Sequence, residues 1–261
     1  MRRVGIIQGR LSLPVNGHIQ EFPDDWQKEF KLLGGCGLNH IEWLITAGSE
    51  NTNPAFDEQV SLSSFPISSL CADTLVDERI VDKDFLDDNL TPICLSAIRN
   101  KINNITIPLL EGSNVEDSKI RRKFKELIVK YADRYPSINF SFECELSIGG
   151  LRDILELSDS FYVTYDTGNI TSYGVDHEKY IDTFHSRISN VHLKDRTYDA
   201  RTVPPDTGDT DFTTIFRKLK SVGYDGIYTL QTSRGDDGNE INNILEHKKS
   251  LKSKTGFATP P

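Results

Sequence analysis

Eight short apolar, β-branched or aromatic runs recur at intervals of roughly 30 residues, and helical patterns separate them. They are Arg3–Gln8, His40–Leu44, Ile67–Ala72, Asn104–Leu109, Ile138–Glu143, Phe161–Asp166, Ser189–Leu193 and Gly226–Gln231. Repeated strand–helix units favour parallel pairing and right-handed crossovers. Periodicity alone also allows an open, doubly wound sheet. Eight units in 261 residues favour a closed (β/α)8 barrel, which uses about 250 residues.

Four apolar stripes predict helices packed on the sheet. Trp26, Phe30 and Leu33 share a face behind Asp24, read as the cap. Leu86, Leu90, Ile93, Ala97 and Ile98 form the second stripe, Phe124, Leu127, Ile128 and Tyr131 the third, and Phe212, Ile215, Phe216 and Leu219 the fourth. The patterns around Pro54–Ser64 and His177–His185 are weaker. No linker divides the chain, so one domain is expected over residues 1–252. Residues 253–261, with two prolines and no periodicity, are expected to form a flexible tail.

The 39 acidic residues exceed the 30 basic ones, and the net charge of −9 disfavours nucleic acid and anionic membranes as partners. No local basic patch is visible beyond Lys119–Lys125, where the basic residues are interleaved on one helix. The N-terminal apolar run stops at Gln8, too short for a signal-peptide core, and no segment approaches a membrane span. Cys36, Cys71, Cys94 and Cys144 lack Cys-x-x-Cys spacing and read as buried free thiols in a reducing cytoplasm.

Chemistry concentrates in the second half of the chain. Glu143, Asp166, His192 and Gln231 stand at the ends of the fifth to eighth strands, and a parallel barrel brings such positions to one mouth. Two carboxylates, an imidazole and an amide oxygen suit a divalent cation. Side chains alternate along a strand, so Glu145 shares the direction of Glu143, and the position nearer the strand favours Glu143. Aspartate before Thr-Gly-Asn is also an ordinary turn former or helix cap. His192 shares parity with Lys194, and two polar side chains pointing into a barrel need partners. Asp195 points the other way and is expected to pair with a neighbouring helix. His18, His40, His177, His185 and His247 show no spacing for a second site.

The strings IEWL, SLCAD, ITIPLLEGS, FECEL, YDTGN, VHLKDR and GYDGIYTLQTSR, in this order, resemble the xylose-isomerase-like TIM barrels, and more narrowly the sugar phosphate isomerase/epimerase group. The resemblance runs from Arg3 to the neighbourhood of Arg234. It implies a Mn²⁺-like ion held by Glu143, Asp166, His192 and Gln231, with Mg²⁺, Co²⁺ or Zn²⁺ as alternatives. Gln231 replaces the group's usual glutamate and cannot act as a base. Asn169 stands where sugar epimerases often carry a substrate-binding histidine.

Gln8 and Arg10 share parity at the end of the first strand, and Arg196 and Arg234 lie in loops on the same predicted face. These arginines suit a phosphate or carboxylate, and they equally suit solvated loops. Glu42, Asp73 and Glu111 end the second, third and fourth strands. With Asn169 and Lys194 they are candidates for substrate hydroxyls, Glu111 being the substitute acid or base. No glycine-rich phosphate loop is present.

These readings converge on a metal-dependent isomerase or epimerase of a small carbohydrate, with Glu143 as the base. A polyol or inosose-type dehydratase and a metal-free sugar- or partner-binding barrel are the alternatives. A DNA-repair barrel of the endonuclease IV type is disfavoured by too few placed histidines and by the net charge. A homo-oligomer is left open.

Overall fold

The computed structural model describes residues 3–14, 23 and 25–255. Its strands are β1 (Arg3–Ile7), β2 (Ile41–Leu44), β3 (Ile67–Cys71), β4 (Asn104–Leu109), β5 (Asn139–Cys144), β6 (Phe161–Asp166), β7 (Ile188–Leu193), the two-residue β8 (Asp195–Arg196) and β9 (Thr202–Val203), and β10 (Ile227–Leu230). β8 and β9 form an antiparallel hairpin. The other eight close into a barrel in the order β1-β10-β7-β6-β5-β4-β3-β2. The fold is a (β/α)8 TIM barrel, and every expected strand lies within a residue of its place. These strands read as continuous apolar runs because a parallel sheet covered by helices is buried on both faces.

The helices are α1 (Trp26–Leu33), α2 (Lys83–Arg99), α3 (Ser118–Arg134), α4 (Ile148–Leu155), α5 (Thr167–Ser172), α6 (His177–Phe184), α7 (Phe212–Ser221) and α8 (Glu240–Thr255). The weak pattern at 177–185 is a regular helix, started by the Asp176 carboxylate, which accepts the Lys179 N–H at 2.7 Å. The 54–64 segment has only a 3-10 turn at Leu62–Ser64. Side chains hold it instead: Asn53 accepts Trp43 Nε1–H and donates to the Leu44 carbonyl, each at 2.9 Å. Ile98, expected in the core, is 47% exposed, and Phe30 and Leu127 are half-buried. Each is the last or flanking member of its stripe, where the buried arc of a helix ends.

Two compact units are recognisable, His40–Thr164 and the combination of Met1–Asn39 with Tyr165–Pro261. In the first, inward polar side chains form a chain: Thr106 Oγ1 donates to Glu42 at 2.6 Å and lies 3.3 Å from Thr164 Oγ1, which is 2.8 Å from Ser141 Oγ. Phe142 of β5 meets Phe124 of α3 and Phe161 of β6 edge to face. In the second, Thr229 donates to Asn190 at 3.0 Å, and Tyr165 stacks on Tyr180.

Asp24, His18 and residues 256–261 lie outside the described residues; α8 continues through Thr255. Among the described residues, no helix is long and apolar enough to cross a membrane. All four cysteines are free and buried, and burial pushes the Cys94 thiol up to about 12.

Candidate metal centre at the strand ends

Asp166 ends β6 and starts α5, and its two oxygens divide the work. Oδ1 accepts the Asn169 N–H at 2.7 Å, the cap that a Thr-Gly-Asn turn invites. Oδ2 faces the Lys194 ammonium at 3.7 Å. The turn that follows is fitted to β7. Thr167 Oγ1 takes the Lys194 N–H at 3.0 Å, and its own proton has the Lys194 carbonyl at 2.6 Å and the His192 carbonyl at 3.2 Å as acceptors. Gly168 leaves room that a Cβ would fill, since that atom would lie 3.0 Å from Lys194 Cγ and 3.1 Å from Arg196 Cγ.

β7 carries His192 and pairs with β10. Their register sets His192 beside Thr229, and the Gln231 N–H continues the ladder to the Leu193 carbonyl at 3.1 Å. Alternation then sends Gln231 to the same side of β10 as Thr229. Its Oε1 is buried without a hydrogen-bond donor. Such an acceptor costs about 1–3 kcal/mol, which a cation or a donor on a bound ligand would recover.

Glu143, Asp166 and His192 are all buried, and each offers one ligand atom, the three lying within 4.8 Å of one another. Glu145 is only half-buried and is not part of this triad. Two carboxylates and an imidazole match the donor set of Mn²⁺, Zn²⁺ or a similar ion. An amide oxygen such as that of Gln231 is a neutral donor of the same hard type.

A family model described as xylose isomerase-like TIM barrel matches residues 120–254, just over half of the chain. The chain belongs to this family. A sugar phosphate isomerase/epimerase from Parabacteroides distasonis superposes with a TM-score of 0.68 at 16% identity, covering 98% of this chain and 94% of its own. The IOLI protein with a bound zinc atom gives 0.74 at 14% identity, with both chains fully covered. An L-ribulose 3-epimerase gives 0.69 at 14% identity, over 98% of this chain and 94% of its own. No curated protein matches the chain in sequence.

Several other residues singled out in the sequence have partners that the sequence did not indicate. Asp195 binds a loop and not a helix: its carboxylate accepts the N–H groups of Thr207, Gly208 and Thr210 at 3.2, 2.9 and 3.2 Å. The reason is that β8 turns back through the hairpin at once, which brings 207–210 under Asp195. Arg234 is also committed. Its guanidinium donates to the Gly9 and Ser12 carbonyls, clamping the loop after β1, where an anion grip and a solvated loop position were equal expectations. Glu42 is fully buried behind Thr106. Glu111 is exposed, at φ +51° in a 3-10 turn, apart from the buried triad. Asp73 is half-buried at the start of the turn Asp73–Leu75. Gln8, Arg10, Asn169 and Lys194 are buried, and Arg196 is half-buried with Nη1 3.4 Å from Ser172 Oγ.

Sequence reasoning missed Glu29. It is 1% exposed on α1 and accepts the Gly9 and Leu11 N–H groups, each at 2.9 Å, and the Ser12 hydroxyl at 3.0 Å. Burial pushes its carboxyl up, against these hydrogen bonds. With Arg234 it grips both the N–H and C=O sides of the loop that carries Arg10. Burial and the neighbouring Arg234 push Arg10 down to about 10. The signal was present, because Glu29 lies three residues after Trp26 and four before Leu33, inside the apolar stripe.

His177, assigned no role from spacing, is a structural hub. The Tyr165 hydroxyl lies 2.6 Å from Nδ1, and Nε2 lies 3.0 Å from Thr171 Oγ1. Burial lowers the imidazole to about 4 and holds Tyr165 well above the usual phenol range. The neutral ring therefore accepts from Tyr165 and donates to Thr171, which is 3.1 Å from Thr210 of the Asp195 loop.

Proposed function

We propose that this chain is a divalent-metal-dependent isomerase or epimerase of a small sugar or sugar derivative, with Mn²⁺ the first candidate ion. The observation that carries the reading is the convergence of Glu143, Asp166 and His192, with the donor-less amide oxygen of Gln231 on the adjoining strand. Neighbours that are themselves epimerases or bind zinc support it through the shared fold, which alone decides no chemistry.

A divalent cation in this site supplies Lewis acidity towards a substrate carbonyl. The chain's own residues do the rest. Glu143, buried at the end of β5, takes the proton from the carbon beside that carbonyl and leaves an enediolate. The same carboxylic acid then returns the proton to the neighbouring carbon while the hydroxyl proton passes from one oxygen of the enediolate to the other, which completes an aldose–ketose exchange with one base. Epimerisation needs a proton delivered from the opposite face. An amide cannot do this, so isomerisation is the favoured branch. Asp166 cannot share the base role freely, since one oxygen is held as a helix cap. Four buried free thiols fit a reducing cytoplasm.

The test is proton exchange. Wild type and Glu143→Gln, each loaded with Mn²⁺, are incubated in D₂O with a panel of small ketoses and aldoses, and the products are read by NMR. Interconversion of an aldose–ketose pair by wild type, absent in Glu143→Gln, is the expected result. A variant as active as wild type would remove Glu143 from the chemistry.

A further inference from the structure

Lys194 follows His192 by two residues, so its side chain leaves β7 on the ligand side. The residue is built into place. Thr167 Oγ1 binds both its N–H, at 3.0 Å, and its carbonyl, at 2.6 Å. The missing Cβ of Gly168 lets its stem lie against the α5 turn, since that atom would fall 3.0 Å from Lys194 Cγ and 3.2 Å from Cβ. The side chain is only 10% exposed. Its ammonium has one charge partner among the described residues, Asp166 Oδ2, and the 3.7 Å separation is long for a hydrogen bond. A buried ammonium held by one distant oxygen is poorly compensated.

The other Asp166 oxygen is committed to the Asn169 N–H at 2.7 Å. Lys194 faces the oxygen that does not serve as the helix cap. Two cations contest one carboxylate oxygen, and each repels the other at short range.

We propose that Lys194 is a resident competitor of the metal: it neutralises Asp166 in the metal-free protein and gives up that oxygen when the ion arrives. The inference rests on the metal-centre reading above. It assigns Lys194 a role in setting metal affinity, in addition to the substrate contact expected from its position. Once released, the ammonium stays at the strand ends, where a substrate oxygen gaining negative charge is its natural partner.

The experiment is a Mn²⁺ titration of chelator-stripped protein by calorimetry and electron paramagnetic resonance, for wild type, Lys194→Met and Lys194→Arg. Methionine keeps the apolar stem and removes the charge, so Lys194→Met is expected to bind Mn²⁺ at least about tenfold more tightly than wild type. Its metal-free form is expected to melt lower, because the Asp166 carboxylate loses the ammonium beside it, with added Mn²⁺ raising its melting temperature more than that of wild type. Lys194→Arg, which folds with the charge retained, is expected to stay near wild-type affinity. Equal or weaker binding by Lys194→Met would overturn the competitor role while the metal centre stands. Tighter binding by Lys194→Arg would overturn it as well. Absence of binding in all three proteins would remove the metal centre and this inference together.

Discussion

Replacing Thr167 by valine tests how the site is held. The side chain is fully buried, and its hydroxyl joins the α5 turn to the end of β7 through Lys194 N–H at 3.0 Å and the carbonyls of Lys194 and His192 at 2.6 and 3.2 Å. Valine keeps the shape and removes these bonds. The Lys194 N–H then stays buried without an acceptor, at about 1–3 kcal/mol, and the lost O–H donation adds about 1 kcal/mol. A loss of about 3 kcal/mol is the central expectation. The strand end that presents His192 also loosens, and lost support of this kind weakens metal binding by about tenfold or more. Urea denaturation followed by the fluorescence of Trp26 and Trp43 measures the first effect, and Mn²⁺ titration the second. A destabilisation below about 0.5 kcal/mol, the size of a surface substitution, would refute the latch.

Two further outcomes follow from the loop and from the histidine hub. Alanine at Gly208 would put its Cβ 2.4 Å from Asp195 Oδ1 and 2.8 Å from the Arg196 carbonyl, so the 207–210 loop must move; thermal melting should show a loss of about 2 kcal/mol or more. For His177, the folded value of about 4 lies below the ordinary 6.5, so between these pH values the unfolded chain holds a proton that the folded chain refuses. Stability therefore falls as pH falls through that window, by about 3 kcal/mol across it, and His177→Gln should flatten this part of the urea-midpoint profile. A profile of unchanged slope would remove the buried neutral imidazole as its cause.

The barrel strands were legible because continuous apolar runs bounded by helical stripes survive any detail of packing. Asp166 shows where sequence logic had to stop. Helix cap and metal ligand looked like alternatives, yet one carboxylate has two oxygens and serves as cap through Oδ1 while Oδ2 faces the Lys194 ammonium. The backbone contacts of Arg234 were out of reach for a different reason. Its partners, the carbonyls of Gly9 and Ser12, are more than 220 residues away, and backbone acceptors leave no mark in a sequence. Asp195 failed similarly, because three loop N–H groups replaced the helix partner expected from alternation. Glu29 could have been found, as a charge inside an apolar stripe is itself a prediction of a buried polar contact.

The central claim is that the ends of β5, β6 and β7 form one metal centre. Stoichiometric Mn²⁺ titration of chelator-stripped wild type and His192→Ala by calorimetry tests it most directly. One ion per wild-type chain, with affinity lost by about a hundredfold or more in His192→Ala, is the predicted result. Equal binding by the two proteins, or none by either, would contradict it.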